Sequence, residues 1–262
     1  MSWRTGLLYL LLSCLASAPV WGQEKPFLLT FGYDNVTIPP WYSSEQHGYV
    51  IQLFKLADDE LPGVDFSLKG LPWKRCLEEL EIGTIDGCFS TTYSSERAEK
   101  GMYPRNSAGE IDPSRSLFKS TYSLMVPSAL LPTLKIKGLK IEGWNMKNRI
   151  GYNLNWTIGK DLEPLGYSLE SAPSIEANKM KLLSGRIKGL ADLTSRLEVL
   201  KKSGDMQGFE ILTPPLIEKE FFLLLGRPLE KKHPQLTGKI WNKIFEIKSR
   251  KVVLEPLPSP AK

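Results

Sequence analysis

Two successive alternations of strand-like and helix-like segments are the feature that most constrains how this chain folds. The first series is strand Phe27–Tyr33, helix Gly48–Leu61, strand Val64–Leu68, a helix from Pro72 to Gly83, and strand Ile85–Phe89. The second series is strand Arg149–Asn153, helix Thr157–Leu165, strand Tyr167–Glu170, helix Ile175–Ser184, strand Ile187–Leu190 and helix Ser195–Lys202. Strands that alternate with helices form parallel sheets covered by helices. The sequence therefore predicts an α/β protein with two lobes.

Extended segments connect the two series and predict how the lobes are joined. These segments and the last predicted helix are Phe118–Val126, Phe209–Leu212, Phe221–Leu225 and Pro234 to about Arg250. We expect the chain to cross between the lobes near Tyr122–Val126 and again near Leu212–Leu216. The first lobe is then discontinuous, with residues 23–124 and 214–262, and the second lobe contains residues 125–213.

The first 22 residues predict export. Arg4 is followed by an apolar run from Gly6 to Leu12 and then by small residues, the pattern of a secretory signal peptide. Val20-Trp21-Gly22 suits cleavage before Gln23, which predicts a periplasmic protein. A second interpretation stays open, because Leu11-Leu12-Ser13-Cys14 resembles a lipoprotein box that would add a lipid anchor at Cys14. No later segment has the roughly 20 consecutive apolar residues that a bilayer crossing needs.

Composition and cysteine content exclude several other classes. With 42% hydrophobic and 24% charged residues, the chain is neither disordered nor collagen-like as a whole. Its net charge of +5 is scattered and does not require a nucleic-acid partner. Cys76 and Cys88 remain after export and could pair in an oxidising compartment, but we favour two separate buried residues on a helix and the next strand. His47 and His233 form no plausible metal site with them, so neither a metal nor a cofactor is expected.

Several short motifs resemble those of one known family. In chain order they are Leu71-Pro72-Trp73-Lys74-Arg75, Gly83-Thr84-Ile85-Asp86-Gly87, Tyr93-Ser94-Ser95-Glu96-Arg97-Ala98, Phe118-Lys119-Ser120-Thr121-Tyr122, Arg149-Ile150-Gly151-Tyr152, Pro214-Pro215-Leu216 and Lys219-Glu220-Phe221. Their order and spacing are similar to those of the bacterial extracellular solute-binding proteins of family 3, the polar-amino-acid-type receptors of ABC transporters. The resemblance implies a type II periplasmic-binding-protein fold, in which two α/β lobes are joined by a two-strand hinge and hold ligand in the cleft between them. It also implies a monomer that serves an ABC permease or another inner-membrane protein.

Hydroxyl side chains and an arginine follow the predicted strand Ile85–Phe89. Ser90, Thr91 and Tyr93 lie where a parallel strand delivers its loop, and ligands of α/β sheets bind beyond such strand ends. Arg97 comes shortly after and offers a planar fork that suits a carboxylate. An isolated arginine more often caps a helix or lies in solvent, but the resemblance implies that Arg97 binds the carboxylate of the ligand.

Aromatic side chains are further candidates in the first lobe. Trp73 matches a position that stacks on the ligand in similar proteins, although a tryptophan at the start of a helix can also belong to the core. Tyr33, Trp41 and Tyr42 surround the first strand–helix loop, where the family also contacts ligand. They could equally form a surface aromatic cluster.

The second lobe contributes two candidates. Thr157 begins a predicted helix, where an N-cap hydroxyl and free backbone N–H groups favour an anion, and it matches a carboxylate-binding threonine of the family. Amino-acid receptors of this type usually place a carboxylate for the ligand ammonium just after the strand that corresponds to Ile187–Leu190. Asp192 lies one residue out of register with that position, and Lys188 replaces a common acidic residue. A small carboxylate other than an α-amino acid therefore remains an alternative ligand.

Motifs of the common enzyme classes are absent from the sequence. It contains no G-x-S-x-G elbow, phosphate loop, dinucleotide fingerprint or H-E-x-x-H zinc motif. Some proteins similar to the family are periplasmic dehydratases, for which a buried acid such as Glu176 or Asp192 could serve, and others sense ligands for membrane signalling proteins. Our prediction is a non-enzymatic periplasmic receptor that captures a small carboxylate-bearing solute, an amino acid or a related compound, for an ABC importer.

Overall fold

The computed structural model describes residues 26–250, and its first part follows the predicted alternation. The elements are, in chain order, β1 (Phe27–Asp34), α1 (Tyr49–Glu60), β2 (Val64–Leu71), α2 (Trp73–Ile82), β3 (Gly87–Thr92), α3 (Ser95–Lys100) and β4 (Gly101–Met102). Strand β1 pairs in parallel with β2 on one side and with β3 on the other. Helix α2 buries Trp73, Cys76 and Leu80 and ends at Gly83, whose φ of 80° favours a residue without a Cβ. The predicted signal peptide and Cys14 lie outside the described residues.

A long strand carries the chain into a second α/β unit. The elements of this part are β5 (Phe118–Pro127), β6 (Lys135–Lys137), β7 (Lys140–Glu142), β8 (Arg149–Asn153), α4 (Thr157–Leu162), β9 (Ser168–Ala172), α5 (Ile175–Leu183), β10 (Gly189–Leu193), α6 (Thr194–Lys201) and β11 (Phe209–Ile211). Strand β8 has the predicted bounds and lies between β9 and β10, with which it pairs in parallel. Ser174 caps α5, because its side chain accepts a hydrogen bond from the backbone N–H of Ala177.

The chain then returns to the first unit. The last described elements are β12 (Ile217–Gly226), α7 (Arg227–Lys232) and α8 (Pro234–Ser249), and short 3₁₀ turns occupy Pro113–Arg115, Ser128–Thr133 and Glu163–Leu165. The main sheet has the order β2-β1-β3-β12-β5-β10-β8-β9, with β4 paired to β12 and β11 paired to β5, while β6 and β7 form a separate hairpin. The antiparallel partners β5 and β12, in register from Phe118↔Phe221 to Tyr122↔Ile217, connect the two parallel triplets.

These two triplets define the lobes. We call β2-β1-β3 with α1–α3, α7 and α8 lobe I, and β10-β8-β9 with α4–α6 lobe II. The predicted α/β fold with two lobes joined by two strands is confirmed, whereas the residue boundaries near 125 and 213 stay predictions. In lobe I the rings of Phe31, Phe54 and Phe89 pack together, with centroid distances of 5.2 Å and 4.7 Å from the ring of Phe54. Burial of each such side chain stabilises the fold by about 1.5–3 kcal/mol.

Cys76 and Cys88 are joined by a disulfide, so the expectation of two separate cysteines is wrong. Both side chains are fully buried, and the two Cα atoms are 6.4 Å apart. The inner face of α2 packs directly on the sheet that contains β3, which brings a helix residue and a residue of the next strand to bridging distance. The packing at this point is tight, because a Cβ at Gly32 would lie 2.5 Å from Cys76 Sγ.

Three strands begin and end later than the sequence predicts. The predicted strands Ile85–Phe89, Tyr167–Glu170 and Ile187–Leu190 are β3 (Gly87–Thr92), β9 (Ser168–Ala172) and β10 (Gly189–Leu193) in the structure. Ser90 and Thr91 are therefore strand residues, not residues of a loop after the strand. Strands β3 and β10 continue through the polar residues Thr91 and Asp192 because backbone pairing with β12 and β5 extends through them.

Candidate ligand-binding cleft

A cleft of about 740 Å³ lies between the lobes. Residues 34–37 and 72–74, which follow β1 and β2, line it from lobe I. Residues 153–156 and 173–176, which lie at the ends of β8 and β9, line it from lobe II together with Arg196, just after β10. Ligands of α/β sheets bind beyond the carboxyl ends of parallel strands, and pockets for small molecules measure about 300–1,000 Å³. The cleft is therefore the candidate ligand site.

A second pocket of about 20 Å³ lies next to the cleft and shares three lining residues with it, Asp34, Trp73 and Trp156. Ser90, Arg97 and Thr157 also line this pocket. The structure thus brings together five of the residues selected from the sequence: Tyr42, Trp73, Ser90, Arg97 and Thr157. The volume is about that of a single water molecule. In this arrangement of the lobes, the polar pocket is closed.

Arg97 is the centre of the small pocket. It lies on α3, only 7% exposed, with its guanidinium 5.1 Å from the ring centroid of Trp73. Its Nη1 donates to Thr92 Oγ1 at 2.7 Å and to Thr92 O at 3.0 Å, and its Nη2 donates to Asn155 O of lobe II at 3.0 Å. Burial lowers the pKa of this guanidinium, but an arginine stays protonated in a protein. No ion pair within 4 Å in the described part of the chain includes Arg97, although the charges of Glu96 and Asp34 act on it from farther away and favour its protonated form.

Thr157 is the first residue of α4, and the N-cap position belongs to Trp156, which makes no side-chain cap hydrogen bond. The prediction of Thr157 as the N-cap is wrong. Its Oγ1 instead lies 3.0 Å from Thr92 Oγ1 in lobe I and accepts a hydrogen bond from Lys219 Nζ at 3.0 Å. Lys219 also forms an ion pair with Asp161. The hydroxyl of Thr157 therefore connects lobe II to lobe I and to β12.

Asp192 is fully buried inside lobe II and lines neither cavity, so the structure does not place it with the other candidate residues. Its Oδ1 accepts from the backbone N–H of Leu193 at 2.7 Å, and its Oδ2 accepts from Asn153 Nδ2 at 2.9 Å. Complete burial raises its pKa to about 6. Successive side chains of a strand point to opposite faces, and the neighbour Leu193 is the residue of β10 that lines the small pocket.

Four other candidates also lie away from both cavities. Thr91 is fully buried and donates to Cys88 O at 3.0 Å, and Tyr33 stacks on Phe89 with centroids 4.9 Å apart. Trp41 stacks on Phe118 at 4.5 Å, and the half-exposed Tyr93 packs against Tyr103. Tyr33 in β1 and Trp41 after it thus pack in the core of lobe I, and none of these four residues lines either cavity, whereas Tyr42 lines the small pocket.

Trp156 is the main cleft residue that the sequence analysis did not select. Its Nε1 donates to Asp34 Oδ2 at 3.2 Å, its ring lies 6.2 Å from Tyr122, and the guanidinium of Arg196 lies over it at 4.7 Å. It lines both the cleft and the small pocket. The sequence signal that could have identified Trp156 is a large aromatic residue between the end of a strand and the start of a helix, in the segment Asn155-Trp156-Thr157. Asn155 beside it has φ 65°, a left-handed conformation that asparagine tolerates better than most residues.

Two charged side chains contact Trp156, Asp34 of lobe I and Arg196 of lobe II. Burial raises the pKa of Asp34, while the hydrogen bond from Trp156 and the charges of Arg196 and Arg97 oppose that rise. The carboxylate of Asp34 thus lies within the fields of two guanidinium groups. Within residues 26–250, no group of three His, Cys, Asp or Glu residues could hold a metal ion. None of the helices in this same range is long and apolar enough to cross a membrane.

Comparison with known proteins shows the fold. No family model and no curated protein matches the chain. Among solved structures, the ligand-binding core of GluR0 in complex with L-glutamate matches with a TM-score of 0.68 and 13% identity, over 87% of this chain and 95% of that one. The arginine-, lysine-, histidine-binding protein ArtJ from Geobacillus stearothermophilus matches with a TM-score of 0.61 and 16% identity, over 85% and 90%. The ancestral amino acid-binding protein AncCDT-1, a precursor of cyclohexadienyl dehydratase, gives a TM-score of 0.62 and 15% identity, over 85% and 89%.

These similarities extend over both lobes and the two strands between them. The chain has the type II periplasmic-binding-protein fold, as the family resemblance implied. At 13–16% identity, the similarity establishes the architecture. The chemistry of the cleft depends on the residues that line it in this chain.

Proposed function

We propose that the protein is a periplasmic solute-binding receptor that captures a small carboxylate-bearing solute between its lobes for an ABC importer. The observation that carries this proposal is the buried guanidinium of Arg97, which bonds to both lobes and forms no close ion pair with a carboxylate of the described residues. A buried charge is costly unless it is paired, and an arginine fork suits a carboxylate. A solute carboxylate is therefore the natural partner of Arg97.

The contacts of Arg97 suggest the order of binding. Nη1 is held by Thr92 of lobe I, whereas Nη2 is bonded to the carbonyl oxygen of Asn155 in lobe II. Separation of the lobes releases Nη2 and presents it on lobe I. A solute carboxylate then takes the place of the Asn155 carbonyl, and the lobes close to the extent that the closed state offers the solute better contacts.

Two other functions are compatible with this fold. The solved structure of the GluR0 ligand-binding core holds L-glutamate, so the same cleft could report a ligand to a membrane signalling protein. A dehydratase would need an acid in the cleft, and AncCDT-1 is described as a precursor of such an enzyme. Of the two acids considered from the sequence, Glu176 is exposed at the cleft rim and Asp192 lines neither cavity. Asp34 is an acid that lines both cavities, and its Oδ2 accepts a hydrogen bond from Trp156. Because this carboxylate links the two lobes, we favour binding over catalysis, by a monomer that delivers its solute to an inner-membrane permease.

The test combines a ligand screen with one substitution. Thermal-shift screening of a metabolite library identifies carboxylates that stabilise the protein, and calorimetry then measures each hit on Arg97→Ala. Loss of one side of a buried charge pair costs about 2–5 kcal/mol, so we expect affinity to fall by roughly 30- to several-thousand-fold. Arg75→Ala is the matched control, because Arg75 is an exposed arginine of the same lobe and is paired with Glu79. If no carboxylate binds, or if Arg97→Ala binds the hits as tightly as the parent, the proposal is wrong.

A further inference from the structure

The net positive charge of the chain is concentrated in one segment of lobe II, contrary to the expectation that it is scattered. Residues 135–149 contain five Lys or Arg residues and one acidic residue, Glu142. The whole chain has 34 Lys and Arg and 29 Asp and Glu. When this segment and Arg4 of the predicted signal peptide are subtracted, 28 residues of each kind remain. The positive excess of the chain after export therefore lies in these 15 residues.

The hairpin β6–β7 presents most of this charge on one face. Ile136 and Ile141, which pair across the hairpin, are 7% and 4% exposed and belong to the core. Side chains alternate along a strand, so Lys135, Lys137 and Lys140 point away from that core, and all three are exposed. The hairpin thus has an apolar inner face, which fixes it to lobe II, and a cationic outer face.

Glu142 is the acid nearest in sequence to these lysines, and it does not neutralise them. The hydrogen bond from Lys137, at 2.8 Å, lowers the pKa of Glu142, and the charges of Lys140 and Lys135 lower it further. Lys147, in the turn before β8, is also exposed. Within residues 26–250, neither Lys135, Lys140 nor Lys147 forms an ion pair of its own. Four lysines therefore share a single carboxylate.

Exposed apolar side chains border the lysines. Met146, which precedes Lys147, and Leu165 are each 46% exposed. Met146 reaches the segment of Leu165, because a Cβ at Gly166 would lie 3.7 Å from Met146 Cε. The hydroxyl of the next residue, Tyr167, bonds to two backbone groups of the hairpin region, at 2.7 Å and 3.2 Å. The basic patch, as we call this surface, consists of Lys135, Lys137, Lys140, Met146, Lys147 and Leu165.

The combination of charge and apolar surface indicates what covers the basic patch. Lysines alone form an ordinary solvated surface, and single exposed apolar side chains are also common. Cations beside exposed apolar side chains are the pattern of a surface that lies on an anionic bilayer, where the cations meet lipid phosphates and the apolar side chains enter the boundary of the acyl chains. A bilayer also adapts to protruding side chains, whereas a folded acidic protein would need a complementary shape.

We infer that the basic patch of lobe II binds the surface of an anionic membrane, with its lysines against the lipid phosphates and with Met146 and Leu165 in the interface. This inference goes beyond the proposed function and does not depend on it. No residue of the patch lines the cleft or the small pocket, so the membrane contact leaves the ligand site free. None of the helices in residues 26–250 is long and apolar enough to cross a bilayer, and the contact inferred is a peripheral one.

Sedimentation with lipid vesicles tests this inference. The chain is produced from Gln23, so that no lipid on Cys14 contributes. It is mixed with vesicles of phosphatidylglycerol and phosphatidylcholine in equal parts, or of phosphatidylcholine alone. We expect binding only to the anionic vesicles, and loss of this binding when the ionic strength rises from about 0.01 M to about 1 M, which shortens the Debye length from about 30 Å to about 3 Å. Equal binding to both kinds of vesicle, or to neither, overturns the inference.

The triple variant Lys135→Gln/Lys140→Gln/Lys147→Gln assigns the binding to the basic patch. A lysine near an anionic surface contributes about five-fold in affinity, so the triple variant should bind the anionic vesicles about 100-fold more weakly than the parent. These side chains are exposed, so their replacement should leave the fold intact, which urea unfolding checks.

A second triple variant, Lys55→Gln/Lys202→Gln/Lys231→Gln, is the matched control. It removes the same charge from exposed lysines on α1, after α6 and on α7, which form no ion pair within the described residues. The control should bind the anionic vesicles at least about 10-fold more tightly than the patch variant. If the two variants bind equally well, net charge and not the basic patch causes the binding, and the inference is wrong.

A fluorescent label then tests whether the apolar part of the patch meets lipid. Bimane attached to Met146→Cys should emit at shorter wavelengths when the anionic vesicles are added. Ile82→Cys is the control position, because Ile82 lies on α2 of lobe I and is 75% exposed. A shift at Ile82→Cys without one at Met146→Cys would place the contact on another surface. If no vesicle binds the parent but the patch variant lowers solute uptake by cells, the patch meets an acidic protein and the lipid assignment is overturned.

Discussion

Replacement of Trp156 with phenylalanine should shift the ligand-free protein from the closed arrangement of the lobes toward an open one. The indole Nε1 on lobe II donates to Asp34 Oδ2 of lobe I at 3.2 Å. Phenylalanine removes this hydrogen bond but keeps an aromatic ring beside Tyr122 and Arg196. A hydrogen bond to a charged acceptor contributes about 1.5–3 kcal/mol, so the ratio of closed to open molecules should fall by about 10- to 150-fold.

Small-angle scattering without ligand measures this shift as an increase in the radius of gyration. Trp144→Phe is a matched control. Trp144 is a buried tryptophan that packs near Gly189 of lobe II, and its Nε1 has no hydrogen-bond partner in the described residues. Asp34→Ala should open the lobes to a similar degree, and the double variant Trp156→Phe/Asp34→Ala should open them no further than either single variant. Such non-additivity is the signature of two groups that act through one shared contact. Urea unfolding of each variant checks that the fold itself persists.

Two results would refute this reasoning. The first is a Trp156→Phe protein whose radius of gyration equals that of the parent and of Trp144→Phe. The second is strict additivity of Trp156→Phe and Asp34→Ala, because the two side chains would then act independently. In either case the hydrogen bond between Trp156 and Asp34 does not hold the lobes together.

Three further predictions concern stability and processing. Asp192→Asn should change the pH dependence of unfolding. The folded pKa of Asp192 is about 6 and lies above the unfolded value of about 3.9, so in the parent this group lowers the unfolding free energy by about 2 kcal/mol as pH rises from 4 to 7. The variant should lack that loss in urea titrations at the two pH values. Replacement of Cys76 and Cys88 by alanine should lower the unfolding free energy by about 2–4 kcal/mol, and mass spectrometry of the parent before and after reduction should show the two-hydrogen difference of a disulfide. Mass spectrometry of exported protein should find Gln23 at the N-terminus, whereas an acylated Cys14 would establish the lipoprotein alternative.

Periodic segments were predictable because their patterns are local. The strand Arg149–Asn153 has the predicted bounds, and the predicted helices Gly48–Leu61 and Ile175–Ser184 differ from α1 and α5 by one residue at most at each end. Apolar spacing and capping residues act within one element, so one sequence is enough to reveal them. The alternation of these elements then leaves few architectures open.

Features that depend on pairing between distant segments were not predictable in the same way. The strands β3 and β10 continue through the polar residues Thr91 and Asp192 because β12 and β5 pair with them, and Leu193 at the end of β10 then lines the small pocket. The disulfide was missed for a related reason: a buried cysteine on a helix and another on the next strand give the same apolar pattern whether or not they are bonded. The local sequence pattern thus determines whether a segment forms a helix or a strand, and the partner strand determines the register of a strand.

Motifs in the sequence indicated part of the candidate site, whereas the residue whose position depends on tertiary contacts was not selected. Arg97, Ser90, Trp73 and Thr157 meet at the small pocket. Trp156 has its role only because Asp34 and Arg196, which lie far from it in the sequence, converge on its ring. Such a convergence leaves no periodic signal in the chain.

The contacts that hold the lobes together explain how such a cleft can open and close. They are polar, and they pair Thr92 with Thr157, Arg97 with Asn155, Asp34 with Trp156, and Glu96 with Lys160. A neutral hydrogen bond contributes about 0.5–1.5 kcal/mol net, and one that involves a charged group contributes about 1.5–3 kcal/mol, because the separated groups bond to water instead. An exposed ion pair contributes about 0–1 kcal/mol. The sum is about 4–8 kcal/mol, comparable to the roughly 5.5 kcal/mol of differential binding that moves a two-state equilibrium from 1:99 to 99:1. An apolar interface of similar extent would resist opening more strongly. The polar character of these contacts therefore allows a solute of moderate affinity to shift the equilibrium between the open and closed lobes.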